Sequence, residues 1–220
     1  MNRRKAIKHV ALLIGGSIVG TNLFLEGCVR STNKKIAILF EKDSINLLNE
    51  LGEAILPRTS TPGAKDANVG SFIPVMIRDC YSEVNQKAFV DGLGEIDRRS
   101  KLEFGKKFLE LTSDERFSFV DILDQEAKDF QDKRKEQLKL DEKELAKELV
   151  ENKDYFFFKQ KMDKLRDNTA NHFFFLLKQL TLTGFFTSEI GMTKALRFVK
   201  VPGRFDGEFP YEKGEHAWAV

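Results

Sequence analysis

Residues 124–154 constrain the fold of this chain more than any other stretch. They read DQEAKDFQDKRKEQLKLDEKELAKELVENKD, in which acidic and basic side chains alternate and apolar side chains are few. Mixed-sign charge of this density is typical of a helix surface that faces water. The stretch therefore predicts a long solvated helix or a partly mobile hairpin, and a charged arm that binds a partner is the alternative.

Apolar residues before this stretch recur at intervals of three and four, which is the spacing of helices. Ser44 is the predicted cap of the first helix and Pro57 its end, and a break near Asn85 separates the next two helices. The apolar positions that define the three helices are Ile45, Leu48, Leu51 and Ile55, then Phe72, Met76 and Cys80, and last Phe89, Leu93 and Ile96. No alternating strand pattern appears, so the predicted fold is mainly α.

Two further signals extend the helical prediction. Thr112 and Glu115 have the spacing of a capping box, and the helix that they start would place Phe117, Val120 and Leu123 on one face. Further along the chain, aromatic residues are concentrated in the segments 156–158 and 173–177. A helix that is apolar all round lies in the core or is covered by another chain. The core is the preferred interpretation, and a subunit interface is the alternative.

The chain begins MNRRKAIKHV, in which Arg3, Arg4 and Lys8 follow the layout of a twin-arginine export signal. The uncharged run from Val10 to Leu25 is shorter than the ~20 apolar residues of a spanning helix and is weakened by glycines. These properties favour a cleaved or lipid-modified export signal over residues 1–27, rather than an N-terminal membrane anchor.

Cys28 follows Leu25, Glu26 and Gly27, an arrangement that resembles a lipoprotein cleavage box except at the glutamate. Acylation of Cys28 would hold the protein at a membrane surface. Cleavage before Cys28 removes four basic residues and one acidic residue and changes the formal net charge from +2 to −1, so nothing indicates a nucleic-acid partner. Cys80 then has no disulfide partner and is predicted to be a small buried apolar residue.

The sequence predicts no catalytic, cofactor or metal site within the chain. Gly92 and Gly94 follow no strand, so they do not form a dinucleotide-binding turn. Cys80 is not part of the motif that attaches haem covalently. His172 and His216 have no neighbouring ligand to support a metal site, and His172 is interpreted as a satisfied buried or rim histidine.

The segment 181–220 contains the densest group of sequence signals in the chain, made of glycines, prolines and aromatic residues. Gly184 and Gly191 are predicted to interrupt a helix, and the prolines and glycines that follow favour an extended, turning tail. The aromatic residues along this tail must pack on helices of the same domain or on another protein. Both interpretations stay open from composition alone.

Two segments carry a resemblance to a known family. LGEAILPRTSTPGAKDANVGSFI contains a helix end, a tight turn and a helix start, and LTLTGFFTSEIGMTKALRFVKVPGRFDGEFPY contains a glycine turn followed by Val-Pro-Gly. Together with the twin-arginine leader, they resemble the gluconate 2-dehydrogenase subunit 3 (gamma subunit) family. The charged stretch 124–154 is the part without a match and is interpreted as a family-variable insertion.

The resemblance implies a non-catalytic small subunit of a periplasmic, membrane-associated dehydrogenase complex. The expected partners are an FAD-containing subunit of the glucose–methanol–choline (GMC) type and a cytochrome c subunit with haem c, and this chain is expected to hold no cofactor. Its leader would carry the folded flavoprotein through the twin-arginine route. A lipid-anchored periplasmic interaction protein without a redox partner is the alternative.

The predicted domain organisation is a signal at 1–27, a tether at 28–43 and one helical domain at 44–220. Within the tether, residues 36–40 have enough apolar character to pack on the domain. The tail and the turn at 57–64 are the predicted partner contact. Its predicted residues are Pro57, Pro62, Gly63, Gly184, Gly191, Pro202, Gly203, Arg204, Phe205, Asp206, Gly207, Phe209, Pro210, Tyr211 and Trp218.

Overall fold

The computed structural model describes residues 34–152, 155–201, 203, 207–210 and 212–219, with backbone alone at 34 and 148–152. The predicted export signal at Arg3, Arg4 and Lys8 and the predicted lipidation site at Cys28 lie outside these residues. The described part of the chain is mainly helical, which confirms the predicted fold class. Within these residues, the β-type backbone pairing is one isolated bridge between Arg197 and Trp218.

The α-helices are numbered along the described part of the chain. They are α1 (Lys34–Ala37), α2 (Lys42–Ile55), α3 (Val69–Cys80), α4 (Glu83–Gly94), α5 (Ile96–Phe104), α6 (Ser113–Asn152), α7 (Tyr155–Asn168) and α8 (Phe173–Phe186). Short 3₁₀ turns occupy Ile38–Phe40 and Phe108–Glu110, and a π-turn occupies Gly191–Ala195.

Helix α8 lies at the centre of the fold and packs against α2, α3, α4 and α6. Most of its surface is apolar, and each surrounding helix covers a different part of it, while Gln179, Thr183 and Phe186 are exposed. Its buried side chains include Phe173, Phe174, Leu176, Leu177, Leu180 and Phe185. Burying side chains of this size removes about 1.5–3 kcal/mol each of unfavourable hydration. The core interpretation is therefore confirmed for residues 173–177.

The boundaries of the first helices differ from the predicted ones. Helix α2 begins at Lys42 with Glu41 as its N-terminal cap residue, so Ser44 lies inside the helix and caps nothing. The break between α3 and α4 falls at residues 81–82, and Asn85 is buried within α4. Its side-chain oxygen accepts a hydrogen bond from the Asn171 backbone N–H at 2.8 Å, which explains why a polar residue is tolerated there.

The end of the predicted tether packs on the domain. Ile36 is 4% exposed and Leu39 is fully buried, and both belong to the same core as α2 and α3. This confirms the packing that was expected of residues 36–40. The segment 34–40 is helical rather than extended.

The buried face of α3 is shifted from the predicted one. Val69, Ile73 and Ile77 are fully buried, whereas Phe72 and Met76 are only partly covered. Cys80 is exposed at the end of the helix, so its predicted burial is wrong. Several apolar residues on one helix can satisfy a 3.6-residue period, and the neighbouring α2 and α8 determine which of them are covered.

The capping box at the start of α6 is confirmed. The Glu115 backbone N–H donates to Thr112 Oγ1 at 3.3 Å, and the Thr112 N–H donates to the Glu115 carboxylate at 2.8 Å. The predicted face is only partly correct. Phe119 and Leu123 are fully buried, while Phe117 is 62% exposed.

Residues 124–152 of the charged stretch form the larger part of α6, a helix of 40 residues, or about 60 Å at 1.5 Å per residue. Helix α7 packs chiefly along it. The Arg134 guanidinium donates to the Thr169 carbonyl oxygen at 3.1 Å and fastens the end of α7 to α6. Phe156 and Phe157 are exposed at the start of α7, so the core interpretation is wrong for these two residues.

The different environments of Phe117 and Phe119 give a matched stability test. We expect Phe119→Ala to lower the free energy of unfolding by about 3–5 kcal/mol, because it leaves a cavity between α6 and its neighbours. Phe117→Ala removes a mostly exposed ring and is expected to change stability by less than about 0.5 kcal/mol. Urea denaturation of both variants measures the difference, and equal losses would contradict the assigned face.

Candidate partner-binding surface

The loop that follows α2 is fixed by two carboxylates. The Glu53 side chain accepts hydrogen bonds from the backbone N–H groups of Arg58 at 2.8 Å and Lys65 at 2.9 Å. Asp66 accepts from the Gly63 N–H at 2.9 Å and forms an ion pair with the Arg58 side chain. Bonds from charged acceptors to backbone N–H groups are among the stronger ones in proteins. The loop is therefore ordered, as its prolines and glycines predict.

This loop and the π-turn after α8 line one open groove of about 440 Å³. The loop supplies residues 58–62 and Asp66, and the turn region supplies Ile190 and Lys194. The two sequence segments that carry the family resemblance are thus neighbours in the fold, although more than a hundred residues separate them. The sequence predicted both segments as contact regions, and the tertiary structure brings them together.

The glycines of the second segment have internal roles. Gly184 lies within α8 and does not interrupt it, which corrects the prediction. A Cβ at this position would lie 2.7 Å from the ring of Phe72, so glycine permits the close approach of α3. At Gly191, a Cβ would lie 2.8 Å from the carbonyl carbon of Phe185. Both glycines are buried, as is Gly63. They influence the surface through the packing beneath it and are not themselves exposed on it.

Ser188 fixes the turn that leads from α8 into the tail. Its hydroxyl donates to the Phe185 carbonyl oxygen at 2.6 Å and accepts from the Gly191 N–H at 3.0 Å. These bonds satisfy backbone groups that the helix end leaves without partners. The chain therefore leaves α8 in a defined direction.

Arg197 organises the tail. Its guanidinium lies 4.8 Å from the ring centroid of Trp218 and 5.6 Å from that of Phe209, and it forms an ion pair with Glu215 at 2.8 Å. Its N–H donates to the Ala217 carbonyl oxygen at 2.8 Å. Cation–π contacts of this kind contribute about 0.5–2 kcal/mol each. Arg197 is not among the predicted contact residues, because its only signal in the sequence is a basic residue beside apolar ones.

The described tail returns to its own chain at residues 195–197 and leaves apolar side chains in solvent. We call the exposed set formed by Phe198, Val199, Val201, Phe209 and Trp218 the tail surface; its members are between 44% and 77% exposed. The rings of Phe209 and Trp218 are in contact, with centroids 5.4 Å apart, and the other three residues closely follow Arg197 in the chain. Groups of exposed apolar residues mark binding sites more often than isolated ones do. Gly203, Gly207 and Pro210 are also exposed. The predicted contacts Pro202, Arg204, Phe205, Asp206 and Tyr211 lie outside the described residues.

Both histidines of the described chain have structural partners. His172 caps α8, because its Nδ1 accepts from the Phe174 N–H at 3.3 Å. Burial lowers the pKa of His172, Glu126 raises it and Arg99 lowers it, and the net direction is downward. His216 Nδ1 donates to the Ala195 carbonyl oxygen at 2.8 Å. Among the described residues, no group of three or more potential metal-binding side chains comes together.

These features define a helical domain with an open groove and an exposed apolar tail surface. The family model of gluconate 2-dehydrogenase subunit 3 matches residues 42–203, which is most of the chain. The chain therefore belongs to the gluconate 2-dehydrogenase subunit 3 family, as the resemblance predicts. Comparisons with curated proteins and with solved structures gave no significant match. Over the part of the chain that the structure describes, no helix is long and apolar enough to cross a membrane.

Removal of the Arg197 guanidinium tests the organisation of the tail. We expect Arg197→Met to shift Trp218 emission to longer wavelength and to increase its quenching by acrylamide, because the ring loses its cationic neighbour. Trp218 is the only tryptophan of the chain, so the signal reports this site alone. Arg98→Met, which removes an exposed ion pair with Glu95, is the control. Unchanged Trp218 fluorescence in Arg197→Met would contradict the assignment.

The lowered pKa of His172 gives a pH test. The unfolded histidine gains a proton near its ordinary pKa of about 6.5, while the folded one resists protonation, so stability is lost as the pH falls through this range. We expect the free energy of unfolding to fall less between about pH 7.5 and about pH 5.5 in His172→Asn than in the wild type, because asparagine also caps helices but does not titrate. Denaturation at both pH values measures this difference, and equal losses would exclude a role for His172.

Proposed function

We propose that this chain is the non-catalytic small subunit of a periplasmic, membrane-associated, flavin-dependent gluconate or sugar dehydrogenase complex. Its partner is the FAD-containing GMC-type subunit, and a cytochrome c subunit with haem c accepts the electrons. Membership of the gluconate 2-dehydrogenase subunit 3 family over residues 42–203 carries the proposal. The redox groups belong to the partner subunits, and this chain supplies binding surface.

The tail surface is the proposed docking site for the flavoprotein. Tryptophan and arginine are common anchors of protein interfaces, and here Trp218 is held by Arg197 in a defined position before any partner binds. Holding an anchor in place reduces the entropy that is lost on association. The groove between the 58–62 loop and Lys194, which lies three residues before Arg197 in the chain, is proposed to extend this contact.

The leader gives the complex its proposed route of export. Arg3, Arg4 and Lys8 follow the twin-arginine layout, and this route carries proteins that are already folded. A flavoprotein that binds FAD in the cytoplasm must cross folded, and a tightly bound escort can supply the signal. A stable contact of this kind typically buries ~1,600 Å² in total.

Co-export of the flavoprotein tests the proposal. We expect truncation after Val201, or the double substitution Phe209→Ala and Trp218→Ala, to reduce the flavoprotein found in the periplasm by about tenfold or more, because the anchors contribute at least ~1.4 kcal/mol to binding. Cell fractionation with flavin absorbance and immunoblotting measures the amount.

Two controls separate docking from export. Leu102→Ala removes a side chain that is 73% exposed on α5, outside the tail surface, and should leave export unchanged. Arg3→Lys combined with Arg4→Lys should retain both proteins in the cytoplasm as a complex. Normal flavoprotein export by the truncated chain would overturn the proposed docking site.

A further inference from the structure

The tail folds back on itself through one parallel β-bridge. The Arg197 backbone N–H donates to the Ala217 carbonyl oxygen at 2.8 Å, and the Ala219 N–H donates to the Arg197 carbonyl oxygen at 2.9 Å. Both backbone groups of Arg197 therefore face the segment 217–219. A pair of strands on its own is only marginally stable in water, and a third strand is one of the elements that stabilise it.

The bridge fixes the direction of the neighbouring backbone groups. Within one planar trans peptide, the C=O and the N–H point in opposite directions. Because the Arg197 carbonyl faces the segment 217–219, the Phe198 N–H points away from that segment. Because the Arg197 N–H also faces it, the Leu196 carbonyl oxygen points away as well. We call the Leu196 carbonyl oxygen and the Phe198 N–H the outer edge of the tail.

The outer edge offers one acceptor and one donor on the same side of the backbone. Neither group forms a hydrogen bond with another of the described residues. Phe198 is 46% exposed, and the run of residues 198–201 is exposed throughout. Unpaired backbone groups along an exposed edge are the template on which a further strand can form.

An extended segment of another protein is complementary to this edge in two respects. Its backbone can bond to the Leu196 carbonyl oxygen and to the Phe198 N–H, and its side chains can cover the exposed Phe198 and Val199. Water can satisfy the two backbone groups, but it leaves the apolar side chains exposed. Addition of a strand therefore explains the free edge and the apolar residues together.

Charge argues against a second copy of this chain as the added strand. Lys200 lies within the exposed run, so the pairing of two identical edges would bring two ammonium groups close together. A lysine on an edge strand is a common means of preventing such self-association. A strand that carries an acidic side chain near Lys200 would instead be attracted.

We propose that the outer edge of the tail binds an extended segment of the FAD-containing subunit by β-strand addition. The Leu196 carbonyl oxygen and the Phe198 N–H pair with the backbone of this segment, and an acidic residue of the segment lies near Lys200. The inference rests on the proposed function, because it takes the flavoprotein as the partner. It adds a contact through the backbone to the side-chain anchor at Trp218.

Two substitutions at one position separate the backbone contact from the side-chain contact. In the full-length chain, Phe198→Pro removes the outward N–H, whereas Phe198→Ala removes the ring and keeps the N–H. The probe is the purified flavoprotein, and biolayer interferometry measures its dissociation constant. We expect Phe198→Pro to bind about tenfold or more weakly than Phe198→Ala, because it leaves an acceptor of the added strand without a donor.

Lys213→Pro is the matched proline control in the same tail. Lys213 and Gly214 are the central residues of a turn in which the Glu215 N–H donates to the Glu212 carbonyl oxygen, and Gly214 has a φ of 98°. Proline is favoured directly before a glycine of this kind. The affinity of Lys213→Pro should stay within about twofold of the wild type. Unchanged Trp218 emission in each variant shows that the tail keeps its fold.

Hydrogen exchange of the wild-type chain is a second measurement and needs no variant. Mass spectrometry with single-residue resolution gives the exchange rate of the Phe198 amide with and without the flavoprotein. We expect this rate to fall about tenfold or more in the complex, because the amide becomes hydrogen-bonded. The Trp218 N–H points to the opposite side of the bridge, because the Ala217 carbonyl faces Arg197. Its rate should change less.

Several results would overturn β-strand addition and leave side-chain docking at the tail surface intact. They are equal affinities of Phe198→Pro and Phe198→Ala, equal losses in Phe198→Pro and Lys213→Pro, and a Trp218 amide that slows in place of the Phe198 amide. Sedimentation that shows a dimer of this chain alone, which Phe198→Pro dissociates, would make a second copy the occupant. A wild-type chain that does not bind the flavoprotein would overturn the proposed function as well.

Discussion

The fold depends on the need to bury the apolar side chains of helix α8. Eight of its residues are buried, and only a narrow side that includes Gln179, Thr183 and Phe186 faces water. Four helices meet this requirement, and the cap that His172 provides fixes where α8 begins. The position of α8 then fixes its other end, where Ser188 and Gly191 direct the chain into the tail. The proposed docking surface is therefore a consequence of how the central helix is buried.

The groove and the tail surface are both held by specific contacts. Glu53 and Asp66 hold the loop through backbone hydrogen bonds, and Arg197 holds the aromatic rings of the tail. The loop places Ala64 in the core, and the contacts of Arg197 support the proposed presentation of the tail surface to a partner. A subunit that works by binding needs this combination, since flexible anchors lose more entropy on association.

The α6–α7 pair divides the molecule into a packed domain and a charged projection. Up to Ala127, α6 contributes side chains to the core, and beyond that point it contacts α7 and, through Gln131 and Arg134, the segment 169–172. The mixed charges of residues 124–154 make such a projection soluble. The exposed rings at the start of α7 are the exception to this polarity, and for that reason they indicate a contact rather than a packing element.

The sequence by itself determined the helical class, the capping box at Thr112, the ordered loop after Pro57 and the family. These features depend on local chemistry: a hydroxyl and a carboxylate at fixed spacing, a turn that needs proline and glycine, and motifs that are read directly. The tertiary structure alone decided which apolar residues are covered. Phe119 is buried whereas Phe117 is exposed, and Phe173 is buried whereas Phe156 is exposed. The reason is that neighbouring helices lie against one side only. The tertiary structure also decided the partners of Arg197, because the tail folds back onto residues 195–197. Burial and long-range contacts of this kind depend on elements that are distant in sequence.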